Sequence, residues 1–394
     1  MTMQHYTYVI IGGGIAGTTA AETIRKTDKN GSIAIVSDEP HPLYSRVLLS
    51  KPGWVLGEQP FDNVWLKKDE WYKENNIHLF QGLAAHDLDT DRKRVSLSDG
   101  DKLEYEKLLL ATGAHSRRWQ VPGAEKEGVL YLRTVDDAKA IAKAAQGEPK
   151  RVVTIGSACV TFEIIEILHS RGFTVTEVMR EKYFFEPQLS NLAVEPIERT
   201  LEEKGIEIVR ENEVQEVLGG KHVEGVKLKD GRTIECDLIL PFIGVELPIQ
   251  WAKAAGIATH KGIYANEYLE TNVPDVWTAG DTTECWDMAL RETVIMGNWM
   301  SARLQGEIAG RNMAGERVAF EQVSFHTSHG FGYQIGWTGD TRPIPDRKIV
   351  HVPVEDEVED HCRILVWHGR IIGGTTVNRP DLMSAITKLH KKGH

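Results

Sequence analysis

Two strand–helix–strand patterns in succession, followed by a run of short alternating segments, predict an α/β chain with two doubly wound domains and a small α+β domain at the C-terminal end. The first pattern opens at residues 6–11, YTYVII, whose β-branched and aromatic side chains suit a buried strand. Glycines follow at once, then an Ala-rich helical stretch over 18–25, an Asn30-Gly31 turn and an apolar run over 32–36. The second pattern opens with VVTIG at 152–156, continues as a helical segment over 157–172 and ends in a strand over 173–179. Two such units in one chain imply two doubly wound domains.

Between the units lie a strand over 107–111, a turn at Val121-Pro122-Gly123 and an Ala- and Lys-rich helix over 136–146. After Cys236 the run CDLILPFIG reads as a further buried strand, and VWTAGD as a strand entering a turn. A helix is expected over 294–313, stopped by Gly315. From Phe320 the segments YQIGWTG, RILVWHG and RIIGGTTV suggest an antiparallel sheet, closed by a helix over 380–392. The expected division is 1–115 with 240–318, then 116–239, then 319–394.

A chain of 394 residues, 41% hydrophobic and 26% charged, has ample material for a core of this size. Its net charge of -11 argues against nucleic acid as the main partner, because phosphate neutralisation needs concentrated Lys and Arg. The N-terminus lacks a cationic stretch before an apolar segment, and no later run is long and apolar enough to span a bilayer, so a cytoplasmic location is expected. Cys159, Cys236, Cys285 and Cys362 form no CxxC or CxxxxC pair, which leaves neither a disulfide framework nor a dithiol centre. No metal is expected: His326 and His329 have no partnering Cys or carboxylate motif nearby.

Gly12, Gly14 and Gly17 hold GxGxxG spacing between a strand and a helix, the context that gives this pattern its meaning and makes the first domain Rossmann-like and dinucleotide-binding. The first glycine permits a tight turn, the second lets backbone approach a pyrophosphate on the helix N-terminus, and the third lets helix pack on strand. The following strand runs into Asp38 and Glu39, carboxylates placed to accept from a ribose hydroxyl, with Asp38 the first choice. The second glycine loop reads Gly156-Ser157-Ala158-Cys159-Val160-Thr161, so only its first glycine survives. Ala158 adds a methyl where backbone would approach pyrophosphate, and Thr161 adds a β-branched side chain at the helix–strand contact.

The segment HPLYSRVLLSKPGWVLGE resembles the stretch after the first βαβ unit in rubredoxin and ferredoxin reductase-type members of the FAD-dependent pyridine nucleotide-disulfide oxidoreductase superfamily. Leu110-Ala111-Thr112-Gly113-Ala114 with the later Pro-Gly, Thr278-Ala279-Gly280-Asp281 and the VNRP tail are similar to further segments of that family. The resemblance implies FAD, with Gly12, Gly14 and Gly17 at the pyrophosphate, Asp38 at the adenosine ribose, Arg46 near the phosphates and Asp281 at the ribityl or phosphate portion. Thr112, Gly113 and Gly280 belong to the matching flavin-binding segments. It also implies Lys51 beside the flavin ring, paired with Glu163, where an ammonium stabilises the reduced ring and the carboxylate keeps that ammonium charged. Trp286, Trp299 and Phe325 are candidates to flank the flavin or nicotinamide, with core packing the alternative for each.

In the second domain the family carboxylate for the NADH ribose aligns with Met179, followed by Arg180 and Lys182. That pattern suits either a tolerated 2′-phosphate or a pocket that no longer selects a nicotinamide. The implied activity takes hydride from NADH or NADPH and passes electrons through FAD to a small redox protein such as rubredoxin or ferredoxin. Two alternatives stand: a flavin module of a larger reductase, since YSRVLLS is also similar to NAD(P)H-nitrite reductase large subunits, or a non-enzymatic FAD-binding, redox-sensing or partner-binding protein. No cysteine lies in 40–57, which argues against thiol chemistry at the flavin.

Overall fold

The computed structural model describes residues 3–392 apart from 149, 289, 343 and 353–360. It is a mixed α/β structure that divides into two compact units, the first made of Met1–Ser45, Asp62–His115 and Glu246–Ser324, the second of Arg46–Phe61, Ser116–Val245 and Phe325–His394.

In the first unit the strand Met3–Ile11 runs parallel to Ile33–Ser37 on one side and Lys102–Leu110 on the other. Ile77–Gln81 extends the sheet beyond Ile33–Ser37, again in parallel. The long strand Lys102–Leu110 changes partner along its length: its start pairs antiparallel with Arg94–Leu97, and its end pairs parallel with Val276–Thr278. Val9, Ile10 and Ile11 are buried on both faces, as expected of a strand in the middle of a covered parallel sheet.

The helices Ile15–Thr27 and Trp299–Met313 pack against each other at backbone distance. A Cβ on Gly306 would sit 2.2 Å from the Ala16 carbonyl oxygen, and one on Gly310 would sit 2.7 Å from that of Ala20. Small residues therefore line this seam because nothing larger fits. The second helix begins five residues later than its apolar run suggests. Val294 ends a strand, Glu292–Val294, that pairs with Thr283–Asp287, and Asn298 then caps the helix by accepting from the Ser301 N–H.

In the second unit a parallel sheet runs in the order Glu207–Val209, Thr174–Val178, Arg151–Ile155, Leu238–Pro241, beside a three-stranded meander of Val214–Leu218, Gly225–Leu228 and Thr233–Glu235. The helix Val135–Ala145 starts from a reciprocal cap in which the Thr134 hydroxyl accepts from the Asp137 N–H and the Asp137 carboxylate accepts from the Thr134 N–H. Further along, an antiparallel sheet orders its strands as Phe325–Gly330, Tyr333–Gly339, Arg370–Val377, His361–Trp367 and Lys348–Val352, with the helix Pro380–Lys392 following. Both sheets feed one core: Phe162, from the helix Cys159–Ser170, clusters with Phe184, Phe185, Ile335, Trp337 and Val377. Gly330 makes room for it, since a Cβ there would fall 2.7 Å from the Phe162 ring.

Among the described residues no helix is long and apolar enough to cross a membrane.

Candidate functional site

In the first unit the functional candidates gather at the carboxyl ends of parallel strands. Gly12 has φ +121, and a Cβ there would lie 2.0 Å from the Ala111 carbonyl oxygen. A Cβ on Gly17 would lie 2.0 Å from the Gly12 carbonyl oxygen and 2.9 Å from Ile10 Cγ2, so this glycine sets the helix against the strand. Gly14 differs from both: it is extended, with φ -72, and no atom lies within 4 Å of where its Cβ would be. The chain's own packing requires the first and third glycines, while the second borders open space at an N-terminus that no side chain caps. Unsatisfied backbone N–H groups around a small open cradle fit an anionic phosphate pair.

The later segment reaches the same loop. The Ala279 N–H donates to the Leu110 carbonyl, and Gly280, at φ +87, donates its N–H to Gln305 Oε1 at 2.7 Å. A Cβ on Gly280 would fall 3.1 Å from Ala16 Cβ, which puts half-buried Asp281 beside the start of the first helix although it lies far along the chain. Thr112 hydrogen-bonds Thr282 through their hydroxyls, and Gly113 takes φ +62. The strand Ile33–Ser37 ends against the loop, with Ser37 Cβ 2.8 Å from where a Gly13 Cβ would be. Asp38 is exposed; Glu39 is half-buried and accepts from the Tyr44 hydroxyl. Trp299 opens its helix half-buried, and Trp286 is 37% exposed. Gln305 carries no sequence signature, and Tyr44, inside the HPLYSRVLLSKPGWVLGE segment, was not itself a candidate.

In the second unit Lys51 and Glu163 form an ion pair, Nζ to Oε1 at 2.6 Å. The helix Cys159–Ser170 carries Glu163 on a buried face, and a turn at Arg46–Ser50 followed by Pro52 brings Lys51 over it. Glu163 is 5% exposed. Two further donors complete it: Ser328 Oγ reaches Oε1 at 2.9 Å, and Ser50 Oγ reaches Oε2 at 2.5 Å. Neither serine was singled out from the sequence; Ser328 lies in the HTSH stretch that drew notice only for its histidines. Cys159 stands one turn before Glu163, and burial followed by the Glu163 charge pushes its thiol up to about 12, so the thiolate needed of a nucleophile is not available at neutral pH. Arg46 donates to the Arg133 carbonyl at 2.8 Å, and Phe325 is 40% exposed.

The second glycine loop repeats the first at its start: Gly156 has φ +123, and a Cβ there would meet the Phe242 carbonyl oxygen at 2.5 Å. Ala158 caps the helix through backbone alone. Thr161 is fully buried at the helix–strand contact, and its hydroxyl has no hydrogen-bond partner among the described residues. Met179 is buried, whereas Arg180 is exposed with Nε 3.5 Å from Glu213. Two residues before Met179 lies an acid that sequence reasoning passed over. Glu177 is fully buried, accepts from the Thr154 hydroxyl through Oε2, and leaves Oε1 unpartnered; burial pushes its carboxyl well above the usual range.

Comparisons with known proteins fit this arrangement. The chain is 32% identical over 373 residues to a nitrite reductase (NAD(P)H) of Bacillus subtilis (strain 168), covering 94% of this chain and 45% of that protein. The chain thus spans less than half of that relative's length. It is 29% identical over 334 residues to the ferredoxin–NAD(+) reductase component of the biphenyl dioxygenase system of Paraburkholderia xenovorans (strain LB400), covering 85% and 81% of the two chains. The ferredoxin reductase for the CYP199A2 system from Rhodopseudomonas palustris superposes with a TM-score of 0.87 at 26% identity, over 94% of this chain and 91% of that one. The family described as pyridine nucleotide-disulphide oxidoreductase matches residues 6–306, most of the length and both glycine loops, and the chain belongs to it.

Proposed function

We propose that this chain is an FAD-dependent NAD(P)H:acceptor oxidoreductase that takes hydride from a nicotinamide coenzyme and delivers electrons to a small protein of the ferredoxin or rubredoxin kind. Its division is read as two Rossmann-like dinucleotide-binding domains and a C-terminal α+β domain, and its location as cytoplasmic. Bound FAD supplies the redox chemistry, accepting a hydride and releasing single electrons. The backbone at Gly12, Gly14 and Gly17 binds the pyrophosphate, with Asp38 or Glu39 at the ribose and Arg46, Thr112, Gly113, Gly280 and Asp281 completing the grip. Trp299 and Phe325 are assigned to flank the rings. Gly156 and Arg180 are assigned to the coenzyme site, where a buried Met179 and an exposed cation replace the usual acid.

One observation carries the reading: the Lys51–Glu163 pair, an ammonium held by a nearly buried carboxylate. Such a pair has little value as surface decoration, and removing either partner strands a charge. Placed at the reacting ring, Lys51 holds a positive charge where negative charge develops. Anaerobic mixing of the purified protein with NADH and, separately, NADPH tests this. Rapid bleaching of the flavin absorbance with at least one coenzyme is expected, and the coenzyme that bleaches faster identifies the natural donor. A flavin that neither coenzyme reduces would overturn the proposal.

A second reading, the flavin part of a larger reductase, is supported by the 45% coverage of the nitrite reductase relative. Both readings share the same first half-reaction and differ only in where the electrons go.

A further inference from the structure

We infer that Ser50 and Ser328 are positioning residues for Lys51, acting through Glu163. The inference rests on the assignment of the Lys51–Glu163 pair made above, but its test is independent of that assignment. A carboxylate has about four acceptor sites on its two oxygens. At Glu163 three are filled by donors from two separate segments, the neighbours Ser50 and Lys51 and the distant Ser328: Lys51 and Ser328 on Oε1, Ser50 on Oε2. Ser328 is fully buried, Ser50 is 7% exposed, and neither hydroxyl faces bulk water.

The division of labour follows from flexibility. A lysine on a four-carbon stem meets a carboxylate at many angles, so an ion pair alone does not fix its nitrogen. A carboxylate gripped at both oxygens by hydroxyls on a strand and a turn cannot rotate. Its Oε1 then points one way, and the Lys51 ammonium is held at one position. Lys51 itself remains 28% exposed, which leaves its other protons available to a bound group. The nearby Cys159 thiol, pushed up to about 12 by burial and then by the Glu163 charge, does not compete for the ammonium at neutral pH. Two serines that merely filled space would leave Lys51 indifferent to their loss.

The test is competitive acylation of lysines in the full chain as purified, by trace acetic anhydride at fixed pH, with exposed Lys182 as the internal reference and peptide masses as readout. Loss of one anchoring hydrogen bond frees the amine to react, and Ser328→Ala or Ser50→Ala is expected to raise Lys51 labelling about fivefold. Ser50→Thr, which keeps the hydroxyl, is expected to stay near the wild-type value. Glu163→Gln sets the upper limit. Unchanged Lys51 labelling in alanine variants that melt cooperatively would overturn the inference, and where Ser328→Ala does not fold, Ser50→Ala alone decides by the same criterion. If labelling responds as expected while neither coenzyme bleaches the flavin, the positioning role stands and the proposed reaction falls.

Discussion

Gly14→Ala separates what the first glycine loop does for the fold from what it does for a ligand. The backbone at Gly14 has φ -72 and ψ -171, which alanine adopts freely, and no atom lies within 4 Å of the added methyl. The ligand-free chain should lose only the small preference for glycine over alanine at a helix N-cap, about 0.5–1 kcal/mol. A phosphate pair approaching that backbone meets the methyl instead, and losing one hydrogen bond to a charged group costs about 1.5–3 kcal/mol. In the dissociation constant this is a weakening of about 10–150-fold. Gly17→Ala should behave in the opposite way. Its methyl would fall 2.0 Å from the Gly12 carbonyl oxygen, a backbone atom that cannot step aside, so stability drops by about 1–3 kcal/mol with or without ligand. The assay pairs thermal melts of the deflavinated proteins with FAD titrations followed by fluorescence quenching. A Gly14→Ala protein that melts normally and binds FAD as tightly as wild type would refute the placement of the pyrophosphate.

Three further substitutions probe the second unit. Lys51→Met leaves a carboxylate 5% exposed without its cation and should cost about 2–4 kcal/mol in urea unfolding, with slower flavin reduction; wild-type stability would mean that the pair is not energetically coupled. Burial raises the Glu177 carboxyl well above its ordinary 4.5, so its contribution is greatest below about that pH and is lost as pH rises toward its raised folded value. Glu177→Gln should therefore stabilise the protein at pH 8, measured by melting temperature, and the gain should disappear near pH 4.5; lower stability at pH 8 would contradict the assignment. His326 lies flat on Trp337, ring centroids 4.8 Å apart, and burial lowers it to about 4 from 6.5. A depressed histidine stabilises the fold above about 6.5 and loses that contribution as pH falls toward 4, a penalty of at most about 3 kcal/mol. His326→Phe keeps the stack and should narrow the stability gap between pH 7 and pH 4.5; an unchanged gap would show that His326 does not carry it.

What could be read directly from the sequence was what the chain encodes locally. Gly17 stands where Gly12 and Ile10 forbid a side chain, and Gly12, although its obstacle is the distant Ala111 carbonyl, takes a positive φ that favours glycine, so the spacing of the loop was legible. The helix start at Trp299 was not, because VIMGNWM is apolar enough to continue a helix; a hairpin partner, Cys285 against Val294, and the Asn298 cap settle the matter. Glu163 shows the limit most clearly. Its two serine donors lie 113 and 165 residues away, on a turn and on a strand, and a serine has no periodicity or spacing that announces a buried carboxylate. Lys51 was found only because its segment resembles a family; Ser50 lies in that same segment without being marked by it, and Ser328 lies outside any such motif. Glu177 escaped for a related reason: TVTEV alternates like a half-exposed strand, yet a parallel strand covered on both faces buries its polar positions too, and that burial pushes the carboxyl well above its ordinary range. A sequence shows which residues a loop cannot do without. Long-range contacts decide how a buried carboxylate is satisfied, and in this chain Ser50, Lys51 and the distant Ser328 grip Glu163 at both oxygens, while Glu177 has the Thr154 hydroxyl on one oxygen and burial raises its carboxyl.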